Sequence, residues 1–187
     1  MLASICRNFH FLLMTKKCSQ NTIKLDILGD GQELPRLKNL ACELGIEGDV
    51  TFHGRKSQAE CARQISKSDA LVLPSLHECG GAVVLEAMAM GKAVIATNWG
   101  GPADYLDDTC GILVNPSGRQ ELIHGFAEAM SKLTNEPSLK DSLGKAGKEK
   151  VESEVCTNYM ILQQLFTLHS SHVSKLRNPA STAMGAG

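Results

Sequence analysis

Short apolar segments alternate with longer amphipathic ones along most of this chain of 187 residues, and glycine or proline usually follows the apolar segments. The apolar segments are Ile23–Leu28, Val50–His53, Ala70–Leu73, Ala93–Ala96 and Gly111–Val114. Their length is typical of strands, and the unbroken apolar run at 70–73 is typical of a strand covered on both faces. Strands that alternate with helices predict right-handed crossovers and parallel pairing.

The segments between these strands predict helices over 34–44, 58–67, 82–90 and 117–133, with two further helical stretches in 136–170 and a loop over 98–103. We therefore predict an α/β fold, a Rossmann-like open parallel sheet flanked by helices. Sheets of this kind bind ligands beyond the carboxyl ends of their strands.

The ends of the chain have their own patterns. Apolar residues at helical spacing, with basic residues between them, predict an amphipathic helix at the start that lies against the sheet; the apolar positions are Leu2, Ile5, Phe9, Leu12 and Leu13, and the basic ones Arg7, Lys16 and Lys17. Residues 171–187 have no periodic pattern, and we expect a disordered tail. One domain over 1–170 follows.

Composition argues against several classes of protein. Lys and Arg total 19 against 20 for Asp and Glu, with no local basic patch, so we expect no nucleic-acid partner. The apolar run Phe9–Met14 is far shorter than the roughly 20 residues that a membrane helix needs. Because no cleavage site follows a signal core, we expect neither secretion nor a transmembrane segment.

The cysteines indicate a compartment. There are seven, scattered and without a C-x-x-C pair, which favours a reducing cytoplasm over a disulfide framework or a zinc site. No D-x-D triplet is present, which argues against a metal-bridged site, and we expect neither a metal nor a cofactor.

Two glutamates, Glu78 and Glu86, stand eight positions apart across a predicted loop-to-helix junction that contains Gly80 and Gly81. If the helix begins near Gly81, the N–H groups of its first turn and its dipole favour an anion at the carboxyl edge of the sheet. The glycines allow a diphosphate to approach the backbone closely. Glu86, inside the helix, is placed to accept hydrogen bonds from paired hydroxyls such as those of a ribose.

With the segments that follow, Glu86–Gly91 and Val94–Thr97, this string resembles the glycosyl transferase group 1 family, retaining enzymes of the GT-B fold. Supporting matches come in the family's order: Gly29–Gly31, Phe52–Gly54, Ser68–Ser75 and Gly100–Pro102. The resemblance is close over roughly residues 20–135.

The resemblance implies roles for individual residues. It gives Glu86 to the nucleotide ribose and Glu78 to the donor sugar, in a stabilising or nucleophile-like catalytic role. It places Gly29 and Gly31 beside the nucleotide, and His53 and Gly54 at the border of the base. Backbone groups of Gly80, Gly81, Ala82, Val83 and Val84 would hold the diphosphate and the sugar.

The implied reaction is transfer of a hexose-type sugar from a UDP-, GDP- or ADP-linked donor to a hydroxyl acceptor, with retention of anomeric configuration. The family also uses an amino-terminal acceptor domain, and an Arg and a Lys ahead of the first helix; neither Arg7 nor Lys16 has that context. We therefore expect a donor-binding half that is inactive alone and pairs through its open face with an acceptor domain, a subunit or a second copy.

Other interpretations remain open. The chain could be a non-catalytic nucleotide-sugar-binding subunit or remnant, or a hydrolase or epimerase of related fold. Many family members have an aromatic residue and glycine after the first glutamate, where this chain has Cys79 and Gly80. Cys79 fits a small pocket-lining residue better than a thiol of lowered pKa.

Several residues also have plain structural interpretations. The 29–31 glycines fit a simple turn, and Asp30 fits a cap for the next helix. His53 and His77 are each more easily read as structural or exposed than as catalytic. Met88 and Met90 are typical of core filling. Trp99 would pack within the domain, or else on a ligand or a further domain.

Overall fold

The computed structural model describes residues 11–17, 22–77 and 80–155, with side chains over 23–77 and 80–154. Six strands in this part form one sheet in the order β3-β2-β1-β4-β5-β6. They are β1 (Phe11–Lys17), β2 (Thr22–Leu28), β3 (Val50–Gly54), β4 (Ala70–Leu73), β5 (Ala93–Thr97) and β6 (Ile112–Val114). The five predicted strands are confirmed, each to within two residues at either end.

Strand β1 departs from the prediction. It runs antiparallel to both neighbours, pairing Phe11 with Leu28 of β2 and Leu12 with Val72 of β4, whereas the pairs β2–β3, β4–β5 and β5–β6 are parallel. The predicted amphipathic helix is therefore wrong for Leu12, Leu13, Lys16 and Lys17, and its earlier residues lie outside the described part. A short apolar run fits a strand as well as a helix, and here pairing with two neighbouring strands decides between them.

Six α-helices flank the described sheet. They are α1 (Leu34–Glu43), α2 (Gln58–Lys67), α3 (Ala82–Ala89), α4 (Gly101–Tyr105), α5 (Arg119–Asn135) and α6 (Pro137–Lys150), and a π-helical turn follows at Val151–Val155. The α2 bounds are those predicted, because Ser57 and Glu60 form a capping box that begins the helix. Helix α4 lies where we predicted a loop, and its proline at the start fits a first helical turn.

Both faces of the central strands are covered. β4 and β5 are buried at every residue, as the apolar run in β4 predicted. On one face Val72 and Ile95 belong to the main core, where Phe126 of α5 is fully buried. Helix α3 contacts β4 and β5, and α6 packs against α3 and β5. The α/β fold with a largely parallel sheet flanked by helices is confirmed.

At the amino ends of β4, β5 and β6, lysine side chains form ion pairs or hydrogen bonds at or near the residues that precede each strand. Lys140 Nζ lies 2.6 Å from Asp69 Oδ1, directly before β4. Lys92, directly before β5, donates to the carbonyls of Ser66 and Ser68 at 2.8 and 2.9 Å. Before β6, Lys150 lies 2.5 Å from a carboxylate oxygen of Asp107. Because Lys140 and Lys150 both belong to α6, this helix ties the amino edge together.

Contacts divide the chain into one unit over 1–151 and another over 152–187. The predicted domain boundary near residue 170 and the tail at 171–187 lie outside the described residues and stay predictions. In the part that the structure describes, no helix has the length and apolarity to cross a membrane.

Candidate functional site

Helix α3 begins at the carboxyl edge of the sheet as the motif predicted. Its N-cap is Gly81, in the left-handed region with φ 55°. Since glycine has no side chain with which to cap the helix, the N–H groups of Ala82 and Val83 are left to other acceptors, while the Val84 N–H donates to the Gly81 carbonyl at 2.7 Å. Gly80 and Ala82 are exposed, so an anion can reach this turn.

A second group of predicted residues lies where β2 and β3 end. The Gly29 N–H donates to the Gly54 carbonyl at 2.9 Å, which joins the two predicted loops. His53 Nε2 lies 2.6 Å from Asp26 Oδ1. An ionised carboxylate only accepts hydrogen bonds, so Nε2 carries the hydrogen and Asp26 sets the orientation of the ring.

Glu86 connects the two groups. It lies on the second turn of α3, partly buried, and its Oε1 accepts a hydrogen bond of 3.4 Å from Gln58 Nε2 at the start of α2. Helix α2 follows the loop after β3, so this contact brings the His53–Gly54 side of the edge towards α3. One turn along α2, burial and then the negative charge of Glu86 raise the pKa of the Cys61 thiol.

The loops after β4 and β5 are in close contact. Gly101 lies against the carbonyl of Gly80, and Gly81 lies against the ring of Pro102. At the end of β5 the Thr97 hydroxyl is buried without a hydrogen-bond partner among the described residues, and Asn98 beyond it donates to Asn115 Oδ1 at 2.8 Å. Backbone and small polar groups therefore line the carboxyl edge from β4 to β6.

Other predictions have mixed outcomes. Glu78 and Cys79 lie outside the described residues. Asp30 does not cap α1: Glu33 is the N-cap residue, and Asp30 Oδ1 accepts from the neighbouring Gly31 N–H at 2.8 Å. His77 is exposed.

The aromatic and methionine predictions divide in the same way. Met88 is in the core at 1% exposure, but Met90 is 37% exposed because it follows the last helical residue and turns outward with Gly91. Trp99 is 55% exposed at the carboxyl edge, so packing within the described part is wrong for it. That it packs on a ligand or a further domain stays a prediction.

Three residues of this edge were missed by sequence reasoning. Gln58 and Asp26 act through contacts with residues 28 and 27 positions away, which no local pattern encodes. In the sequence Thr97 looks like an ordinary residue at the end of a strand, and nothing there indicates that its hydroxyl is buried. The only available signal was the Ser57–Glu60 capping box, which places Gln58 in the first turn of a helix.

This arrangement is suited to binding an anion next to a hydroxyl-bearing group. The amino end of α3 offers backbone N–H donors and the positive end of a helix dipole. The Glu86 carboxylate lies one turn further along α3, where it accepts a hydrogen bond from the Gln58 amide. Together these groups can hold a phosphate and an adjacent diol at the carboxyl edge of an α/β sheet.

Known proteins share sequence and fold with this chain. The model of the family described as glycosyl transferases group 1 matches residues 7–150. The lipopolysaccharide core biosynthesis glycosyltransferase LpsE of Rhizobium meliloti is 35% identical over 127 residues, which cover 68% of this chain and 36% of LpsE. The matched part of this chain thus spans about a third of the length of such relatives.

Solved structures show the same fold. The carboxyl-terminal domain of the group 1 protein LpcC from Francisella tularensis has a TM-score of 0.59 and 26% identity, covering 67% of this chain and 65% of that one. Anabaena HepE, solved with UDP-glucose, has a TM-score of 0.63 and 22% identity over 76% of this chain and 40% of its own. The chain therefore belongs to the glycosyl transferase group 1 family and has the fold of one half of a GT-B glycosyltransferase.

Proposed function

We propose that this chain binds a nucleoside-diphosphate sugar at the carboxyl edge of the sheet and serves transfer of the sugar to a hydroxyl acceptor with retention. The amino end of α3 carries this proposal. There Gly81 begins the helix without a side-chain cap, and Ala82 and Val83 offer N–H groups beside an exposed glycine. HepE, of the same fold, was solved with UDP-glucose, which supports this ligand class.

In this proposal the parts of the donor meet different groups. The diphosphate lies at the amino end of α3, where donors and dipole stabilise its charge as the sugar departs. Glu86 accepts hydrogen bonds from the ribose. Gly29, Gly31, His53 and Gly54 border the nucleotide. Glu78, outside the described residues, would contact the sugar and stabilise or attack its anomeric carbon.

Titration with UDP, GDP and ADP tests the binding step. We expect at least one of them to shift amide resonances of residues 80–86 at millimolar concentration. Glu86→Ala should weaken binding by about 1.5–3 kcal/mol, because a charged hydrogen bond to the ribose is lost. The matched control is Glu128→Ala, at an exposed glutamate on α5. An absence of binding, or an equal loss in both variants, would contradict the proposed site.

Catalysis by this chain requires an acceptor-binding domain or subunit. The matched part of the chain covers 36% of LpsE, and transfer needs donor and acceptor held together in one cleft. We expect no sugar transfer from a panel of nucleotide sugars to simple hydroxyl acceptors by the purified chain. Turnover by the chain alone that is lost in Glu78→Gln would overturn this requirement while supporting the reaction itself.

We also propose a reducing, cytoplasmic location. The described cysteines Cys42, Cys61 and Cys110 are free thiols, in keeping with the scattered cysteine pattern. Alkylation of the protein in fresh lysate without reductant should modify Cys42, which is exposed, in nearly every molecule. Extensive disulfide formation at that residue would contradict this location.

A further inference from the structure

The loop after β5 supports the loop that begins α3 through a contact with no room for a side chain. A methyl group placed on Gly101 would lie 2.6 Å from the carbonyl oxygen of Gly80 and 2.7 Å from its carbonyl carbon. These atoms belong to the backbone, so they cannot rotate away as a side chain does. A side chain at position 101 would therefore displace Gly80 or the backbone at Gly101 itself.

A second contact joins the same two loops, and here the glycine without room for a side chain belongs to the loop that begins α3. A methyl group on Gly81 would lie 2.9 Å from Cδ of Pro102, and Gly81 already has a positive φ. The supporting side is stiff, because proline fixes its own φ and both Gly101 and Pro102 are buried. Gly100, with φ 60° and ψ −149°, adopts a conformation that essentially only glycine tolerates.

We propose that Gly101 and Pro102 are positioning residues for donor binding: they do not contact the ligand, and they set where the backbone N–H groups at the start of α3 lie. This inference rests on the proposed function, because those N–H groups are the ones assigned to the diphosphate. Donors that stabilise an anion act within a narrow range of distance, so a small displacement of Gly80 and Gly81 weakens the diphosphate contact. The ribose contact at Glu86, on the second turn of α3, is affected less.

The test compares two substitutions with the same chemistry. In Gly101→Ala the added methyl group clashes with the carbonyl of Gly80. In Gly144→Ala it clashes with the carbonyl of Gly91, 2.3 Å from the oxygen. Gly144 lies in α6 at the amino edge, far from the proposed site along β5. Both variants should lower the melting temperature. Whichever of UDP, GDP and ADP binds best is then titrated, together with its monophosphate.

We expect Gly101→Ala to weaken diphosphate binding about ten-fold, in line with the sensitivity of positioned groups to small displacements. It should also lose most of the preference for diphosphate over monophosphate. Gly144→Ala, measured where it is folded, should keep both the affinity and the preference. A merely structural role for Gly101 would leave that preference unchanged.

Each outcome decides one question. If the wild type binds no nucleotide, the proposed function fails and this inference falls with it. If the wild type binds and folded Gly101→Ala keeps its affinity and preference, or Gly144→Ala loses them equally, the positioning role is overturned while the proposed function stands. Should Gly101→Ala not fold, Pro102→Ala removes the ring contact without adding a clash. It should reduce the diphosphate preference by a few-fold, and an unchanged preference would overturn the role.

Discussion

The two edges of the sheet are built from different chemistry. At the amino edge, lysine ammonium groups tie the entries of β4, β5 and β6 to carboxylates or carbonyls. At the carboxyl edge of the same strands, glycine backbone, a buried hydroxyl and an exposed indole take their place. An edge closed by ion pairs has its polar groups satisfied by the protein, whereas an edge of backbone groups leaves donors for a ligand. The amino edge is thus closed by the protein's own contacts, and the carboxyl edge is the one that we propose for ligand binding.

The amino edge should give the largest effect on stability. Lys92→Met removes an ammonium group that donates hydrogen bonds to two carbonyls at the carboxyl end of α2. A cation at that end also complements the helix dipole. We expect a loss of about 1–1.5 kcal/mol in the free energy of unfolding, measured with urea, and no change in nucleotide affinity. As control, Lys145→Met affects an exposed pair with Glu149 and should cost less than about 0.5 kcal/mol. Weaker nucleotide binding in Lys92→Met would contradict the assignment of stability to the amino edge and of binding to the carboxyl edge.

At the carboxyl edge, Gln58→Met should change binding rather than stability. The variant removes the amide that donates to Glu86, so the carboxylate that we assign to the ribose loses this hydrogen-bond partner. We expect roughly three-fold weaker binding of a nucleoside diphosphate, because the bond is long and exposed, and a smaller change for its 2′-deoxy form. Gln120→Met, at the exposed start of α5, is the matched control. Equal losses for ribose and deoxyribose forms would contradict the orienting role of Gln58.

A pH dependence of stability is expected at the amino edge, from Asp107. The hydrogen bond from Lys150, followed by those from Thr109, holds the pKa of Asp107 well below its ordinary value of 3.8. A carboxyl whose pKa is lowered by folding stabilises the fold above the unfolded value and loses that contribution as pH falls towards the folded value. Asp107→Asn should therefore cost stability at pH 7 and have less effect below about pH 4. Because half of this side chain is exposed, we expect no more than about 0.5–1 kcal/mol.

The check is urea unfolding of Asp107→Asn between pH 3 and pH 7, beside Asp108→Asn, the neighbouring exposed residue. The difference between the two variants should shrink as pH falls. A constant difference would mean that Asp107 acts through packing rather than through its charge. Nucleotide affinity at pH 7 should be the same in both variants.

The smallest effect on stability should come from the indole at the carboxyl edge. Trp99 is the one tryptophan of the sequence and is 55% exposed, so Trp99→Ala should change the free energy of unfolding by less than about 0.5 kcal/mol. Its emission nevertheless reports on this edge, and we expect nucleotide binding to alter it. Unchanged emission at saturating nucleotide, with binding shown by another method, would place the ligand away from the loop after β5.

Local patterns predicted the parts of the molecule that local forces decide. The strands β2 to β6 were read from apolar runs and the helix α2 from the helical spacing of its apolar residues, and the structure has them within two residues. The start of α3 was predicted from Gly81, because this glycine closes a loop and an apolar helical segment follows it directly. The 70–73 strand was recognised as buried on both faces because it has no polar residue.

One prediction failed because a distant part of the chain decides, and two failed at short local features. β1 was misread because pairing with β2 and β4, and not its own periodicity, makes it a strand. Met90 looked like core but turns outward one residue beyond the helix. Helix α4 was missed because it has only five residues, too short for periodicity to show.

The sequence by itself determined the family, the alternation of strands and helices and the edge at which the motif lies, because each depends on residues close together along the chain. Only the tertiary structure decided that Gln58 reaches Glu86, that Gly101 supports Gly80, and that α6 ties the amino edge through Lys140 and Lys150. These contacts join residues 21 to 71 positions apart. Their distances follow from how helices and loops pack on the sheet, and no pattern within one segment carries that information.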